Sequence, residues 1–293
     1  MKRRNNLKGR VVPYLMIGPV QLMLLLVILL PIIYTLWLSL NSYTYGRKMT
    51  FAGFSNYAAL FSDRNFIGDL INNIIFVNIV VYGELFLGLG MAVFFVGRVP
   101  FKKLMISIVM APYAVSAVLG VLMWRFILEP DIGMLNRLMI SLKVPQFLWT
   151  VDPVHAFIVV ILLAIWLQVP FTFLILYNSI LGISTELFEV AEVDGANKWQ
   201  VFRHITVPII MPAILVALMF RYIFAFRTFD IVWIMTGGGP LRSTELLSIY
   251  LYRTGFRYFE LGKAAGVAWI MVIVSLLIGA YYIRIMYRRM HIE

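Results

Sequence analysis

Residues 186–208 read ELFEVAEVDGANKWQVFRHITVP, a composition foreign to the chain around them. Four acids, Glu186, Glu189, Glu192 and Asp194, stand in a sequence otherwise dominated by Leu, Ile, Val, Phe and Met. Leu187, Val190 and Ala191 recur at i, i+3 and i+4, and Trp199, Phe202 and Ile205 at steps of three. Each half therefore carries the apolar stripe of a short amphipathic helix. Gly195 lies between the halves, where a chain can turn or approach a neighbour closely. Asp194 suits a helix end, Asn197 suits a new N-cap, and Pro208 fits the first turn of the next apolar helix. The spacing predicts a helical hairpin interrupting an apolar chain.

That chain is 293 residues long, 62% hydrophobic and 13% charged, against about one-half and one-quarter for soluble domains. Its mean hydropathy is +0.89. The net charge of +11 does not read as nucleic-acid binding, because the basic residues gather at the ends of apolar runs. With no cysteine, disulfides, thiolate metal sites and cysteine nucleophiles are excluded.

A hydrocarbon core of about 30 Å needs roughly 20 apolar helical residues. Six segments qualify: 14–40, 70–96, 104–128, 154–181, 207–235 and 264–287. The fold class read here is an all-α membrane protein with six transmembrane helices. Its organisation is a tail over 1–13, a membrane domain over 14–288 containing the loop 183–208, and a tail over 289–293. The first run is too long for a signal-peptide core and lacks a small-x-small cleavage site, so it reads as an uncleaved span. Lys2, Arg3, Arg4, Lys8 and Arg10 precede it, and Arg98, Lys102, Lys103, Lys198 and Arg203 fall on the same side. Arg47, Lys48, Arg242 and Arg253 fall opposite. This bias places both termini and the 183–208 loop in the cytoplasm.

A hairpin whose acids outnumber its Lys and Arg is poorly suited to an anionic lipid surface. A protein partner with basic groups suits it better. Glu189-Val190-Ala191, then Asp194-Gly195-Ala196, Phe202, Ile205 and Val207-Pro208 resemble the EAA motif of permease subunits in binding-protein-dependent ABC importers, with Val190 where Ala is usual. FAGFSNYAALFSD (51–63) is similar to that family's F-x-G-x-x-N-Y element. FRTFDIVWIMTGGGP (226–240) and TELLSIYLYRTGF (244–256) are similar to segments of its carbohydrate branch, the maltose- and glycerol-3-phosphate-type permeases.

The resemblance implies a type I importer permease in the bacterial inner membrane. Its partners would be a second permease subunit in a heterodimer, two ATPase subunits that bind ATP and Mg, and an extracytoplasmic sugar-binding protein. It implies that Glu189, Ala191, Asp194, Gly195, Ala196, Phe202 and Pro208 form a coupling helix seated on an ATPase, with Glu189 facing a basic group. This chain would itself bind no cofactor and catalyse nothing.

The residues agree with that division. No G-x-x-x-x-G-K-[ST] occurs, and Thr236-Gly237-Gly238-Gly239-Pro240, which lacks the lysine, reads as a flexible external loop. His155, His204 and His291 are too dispersed for a metal site or catalytic dyad. Ionisable residues inside spans should face a partner or a wet path. Glu84, Gln168 and Arg221 fall near mid-depth, with Arg227 and Asp230 further towards the outside. Glu84 and Arg221 are read either as a buried ion pair or as substrate contacts. Arg227, where relatives carry Gln, would suit a carboxylate, phosphate or sulfonate. Trp166 and Phe224 are added as aromatic path residues for stacking on sugar faces. Interior Pro112 and Pro170 are expected to bend their helices. An ion-coupled transporter relaying protons through Glu84 or Asp230 is the alternative, but it leaves the hairpin unexplained. An exporter is disfavoured because such chains usually carry their own ATPase.

Overall fold

A computed structural model describes residues 7–145 and 147–290. The expectations for Lys2, Arg3, Arg4 and His291 fall outside the described residues. The chain divides into two compact units, Met1–Ser62 with Leu251–Trp269, and Asp63–Tyr250 with Ile270–Glu293.

In the first unit, helix α1 (Leu7–Ser39) starts inside the segment read as a tail and is followed by a two-residue antiparallel pair, β1 (Asn41–Ser42) and β2 (Thr50–Phe51). Helix α2 (Ser55–Ser62) then closes the F-x-G-x-x-N-Y element, and the structure gives that element a physical role. Gly53 takes φ +54°, which brings α2 back beneath the end of α1. Asn56 Nδ2 donates to the carbonyls of Ser39 at 2.8 Å and Asn41 at 2.9 Å, while the Tyr57 hydroxyl bonds Ser39 Oγ at 2.8 Å. Ser39 and Asn41 are both buried, so these bonds satisfy the Ser39 carbonyl that the end of α1 leaves orphaned and the Asn41 carbonyl of β1. Asn56→Ala is expected to destabilise the protein by about 1–3 kcal/mol, with Asn56→Asp no better because it cannot donate. Thermal unfolding of the purified protein checks this.

The second unit is built on α3 (Arg64–Val96) and α7 (Pro153–Leu181), its most extensively packed pair. They approach closely because α3 presents glycine: a Cβ at Gly88 would lie 3.0 Å from the Phe173 backbone nitrogen. Asp63 caps α3, and Asp152 caps α7 by accepting from the His155 and Val154 N–H groups, each at 2.9 Å. Those bonds, the one from His155 foremost, hold the Asp152 carboxyl below the usual carboxylate range. Helix α10 (Val207–Phe226) packs on both α3 and α7.

Among the described residues, five helices are long and apolar enough to span a bilayer, with a sixth span if one bent pair is counted whole. That pair corrects the reading of 104–128 as a single helix. Helices α4 (Lys102–Ala114) and α5 (Ala117–Ile127) meet at 98° across Val115–Ser116. Pro112 lies just before the break, whereas α7 continues through Pro170 without one. Helix α6 (Met134–Ser141) follows α5. The last long helix, α13 (Leu261–Met290), comes after the short α12 (Leu247–Tyr252) and a wide turn over Arg253–Arg257.

The segment 207–235 is also corrected. Helix α10 ends at Phe226, and a separate α11 (Asp230–Met235) follows an irregular Arg227–Phe229 link. The glycine run after α11 is not a loose loop. Gly237 and Gly238 take φ +63° and +90°, the Thr236 and Thr244 hydroxyls lie 2.7 Å apart, and Thr244 donates to the Gly239 carbonyl at 2.7 Å. Thr244, Glu245, Leu246 and Leu247 are fully buried behind it.

Candidate transport cavity and coupling segment

Glu84 on α3 and Arg221 on α10 form a bidentate pair. Arg221 Nη2 donates to Oε1 at 2.8 Å, and Nε donates to Oε2. Arg221 Nη1 reaches Gln168 Oε1 on α7 at 3.2 Å, so one guanidinium ties together the three packed helices. Glu84 is fully buried and Arg221 is nearly so. Burying either charge alone would be prohibitive, and together they are neutral and hydrogen-bonded. Gln168 is one residue past the middle of α7, which places the cluster near half-depth.

Beside this cluster opens a cavity of about 350 Å³. Gln168 and Arg221 form part of its wall, with Phe224, Arg227 and Asp230. Tyr113, Phe171 and Phe229 add aromatic surface. Phe224 stacks on Phe220, and the Arg227 guanidinium lies over the Phe224 ring, 5.9 Å from its centroid. Arg227 and Asp230 are exposed to the cavity and form no ion pair among the described residues. The two arginines therefore differ: the charge of Arg221 is already matched, and that of Arg227 is available.

Five of the seven residues singled out for a path thus line one cavity. Glu84 sits behind it, reaching it through Arg221. Trp166 does not join them. It packs edge-on against Trp124, centroids 5.8 Å apart, and lines a separate apolar cavity. Residues two apart on a helix point about 200° apart, so Trp166 and Gln168 cannot share a face. Phase could also have found Phe171, one turn beyond Gln168. Phe229 and Thr228 follow the unanticipated end of α10 and carried no such signal.

The hairpin also takes a definite form. Helix α8 (Thr185–Val193) begins at Ser184, whose hydroxyl accepts from Glu186 N–H, and ends at Asp194. Gly195 takes φ +75°, its N–H donates to Glu192 O at 3.0 Å, and Ala196 N–H donates to Ala191 O at 2.9 Å. This is the left-handed helix stop that glycine makes possible. Asn197 then opens α9 (Lys198–Val201) with a reciprocal capping box: Gln200 N–H donates to Asn197 Oδ1 at 2.9 Å, and Asn197 N–H donates to Gln200 Oε1 at 2.7 Å.

The second half is not an independent helix. From Lys198 it runs unbroken through a wide turn at Phe202–Thr206 into α10. Val207 N–H reaches back to Phe202 O, a five-residue step that lies immediately before the missing N–H of Pro208. Glu189 is exposed on α8, Ala191 is buried, Phe202 is half-buried and Pro208 is exposed. Ala191, Asp194, Gly195, Ala196 and His204 border an open concavity of about 350 Å³. A side chain added at Gly195 would meet nothing within 4 Å, so the demand for glycine within this chain is conformational.

Residues 84–290 match the family described as the binding-protein-dependent transport system inner membrane component. The chain belongs to this family. It is a multi-pass inner-membrane permease. It is 34% identical over 286 residues to the sulfoquinovosyl glycerol transport system permease protein of Agrobacterium fabrum, covering 96% of this chain and 92% of that one. It is 32% identical over 250 residues to the trehalose/maltose transport system permease protein of Thermococcus litoralis, covering 85% and 83%. The permease fold matches a chain in the crystal structure of a bacterial ABC transporter for import of the acidic polysaccharide alginate. The TM-score is 0.86 at 22% identity, with 97% of each chain covered.

Proposed function

We propose that this permease passes a sugar through the cavity beside Gln168 and Arg221. The sugar would be delivered by an extracytoplasmic binding protein, and two ATPase subunits would supply the energy at the α8–α9 segment. A second permease subunit would complete the path. The observation that carries the reading is the combination of aromatic faces with a few convergent polar groups in one mid-depth cavity, which suits a hydroxylated ring. On this reading the termini and the α8–α9 segment are cytoplasmic, and Glu189 and the concavity at Gly195 meet the ATPase. The cargo class is supported by the sugars in the names of the relatives.

The ion-coupled alternative asks Glu84 to release and take up protons. Bidentate pairing with Arg221 inside a packed core opposes that role. Collapsing the proton gradient while ATP is maintained should leave uptake intact, and uptake that stops would overturn the ATP-driven reading.

A finer reading concerns the charge of the cargo. Arg227 faces the cavity without an ion-pair partner among the described residues, beside an aromatic ring on which a sugar could stack. A guanidinium so placed favours a sugar bearing a carboxylate, sulfonate or phosphate. Arg227→Gln is expected to lower uptake of an anionic sugar by tenfold or more, the equivalent of about 1.4 kcal/mol, and to leave a neutral sugar nearly unaffected. Equal uptake of the anionic sugar by both forms would remove this reading.

A further inference from the structure

Trp166, displaced from the transport cavity, belongs to a second cavity of about 340 Å³ between α5, α6 and α7. Trp124 comes from α5 and Leu128 from its C-cap, Leu135 from α6, Val159 and Trp166 from α7, and Trp149 from the α6–α7 connection. Every lining residue is apolar or tryptophan. The Trp149 indole N–H is already committed to Asn136 Oδ1 at 3.1 Å. Such a lining offers no polar partners to hold water, and left empty it would forfeit dispersion contacts along its whole wall.

Its depth identifies what surrounds it. Helix α7 has 29 residues, about 43 Å at 1.5 Å per residue, enough to cross a bilayer with its headgroup layers. Val159 and Trp166 lie about 9 and 20 Å along it, within the hydrocarbon of the leaflet at its N-terminal end. Leu162 lines the cavity and is itself 58% exposed. Ile158, one turn before it, and Leu119 and Met123 on α5 are exposed apolar residues as well. The protein's outer surface at this level is thus apolar, at a depth suited to lipid, and continuous with the cavity wall.

We infer that this cavity seats one acyl chain of a phospholipid from the leaflet opposite the α8–α9 segment, and that Trp124, Trp149 and Trp166 form its walls. The site is separate from the transport cavity and does not depend on which solute is carried.

The test uses the full chain in its assembled transporter, reconstituted in phosphatidylethanolamine brominated at mid-chain and then exchanged into unbrominated lipid. Bromine quenches nearby indoles, so a seated chain should leave part of the tryptophan quenching in place after exchange. That retained part should vanish when Trp124, Trp149 and Trp166 are replaced by Phe. Quenching lost as fast as that of bulk lipid would overturn the inference. Val159→Phe, which fills the cavity, should abolish retention. Because filling can also disturb packing, phospholipid is counted by mass spectrometry in the unsubstituted complex after exhaustive delipidation. One phospholipid retained per chain supports the site, and none contradicts it. Efficient disulfide formation between Leu162→Cys and a cysteine placed in a partner subunit would show that protein fills the cavity instead.

Discussion

Arg221→Met is expected to lower the stability of the folded protein by about 3–5 kcal/mol, the largest single-site effect foreseen here. The substitution leaves the Glu84 carboxylate fully buried on α3 with its ionic partner gone, and leaves Gln168 without its donor. Glu84 cannot reach water without opening the packing of α3, α7 and α10, whereas Gln168 still borders the cavity. Two buried charges that neutralise each other can often be replaced together by apolar side chains at little net cost. Arg221→Met combined with Glu84→Leu should therefore recover most of the lost stability, within about 1–2 kcal/mol of the original. Thermal unfolding and folded yield in detergent, compared across the two singles and the double, give the coupling. Additive losses would mean that the pair is not a structural tie between the three helices. Restored stability without restored transport would show that the pair also serves the path.

Gly195→Trp is expected to reduce transport by an order of magnitude or more, equivalent to at least about 1.4 kcal/mol lost in docking or coupling. Two effects combine. The left-handed backbone at φ +75° costs a bulky residue about 1–3 kcal/mol, and the indole would project into the open concavity proposed to face the ATPase. Gly195→Asn separates them, because asparagine tolerates this backbone region and adds little bulk. It should keep α8 capped and retain most transport. If Asn and Trp were equally harmful, backbone geometry alone would explain the effect. If Trp were harmless, the segment would not be a close-packed contact.

The spans were legible because a bilayer requires unbroken apolar length, and α3, α7 and α13 meet that requirement without help. Their interruptions were not. Pro112 reports that its helix is disturbed, but the 98° turn falls at Val115–Ser116, where sequence carries no comparable mark. Pro208 reads as a helix start, yet the helix already runs from Lys198 because the wide turn at Phe202–Thr206 absorbs the missing donor. In the cavity, Phe224 and Arg227 follow Arg221 at helical steps and could be grouped by phase. The same criterion rejects Trp166, which only its depth recommends. The partners of Asn56 are carbonyls of Ser39 and Asn41, and backbone acceptors leave no trace in side-chain pattern. The Glu84–Arg221 link was open to either reading in the sequence; its geometry is a bidentate pair in which Glu84 is fully buried and Arg221 also borders the cavity.

The central claim, that this permease is driven through α8–α9 by a partner ATPase in response to a loaded binding protein, is tested most directly by reconstitution. The chain is purified with its second permease and ATPase subunits, and ATP hydrolysis is measured with the binding protein alone and with it loaded by candidate neutral and acidic sugars. The account predicts stable assembly and hydrolysis that rises only with the loaded protein, lost in Gly195→Trp. Failure to recruit an ATPase, or hydrolysis indifferent to loading, would contradict it.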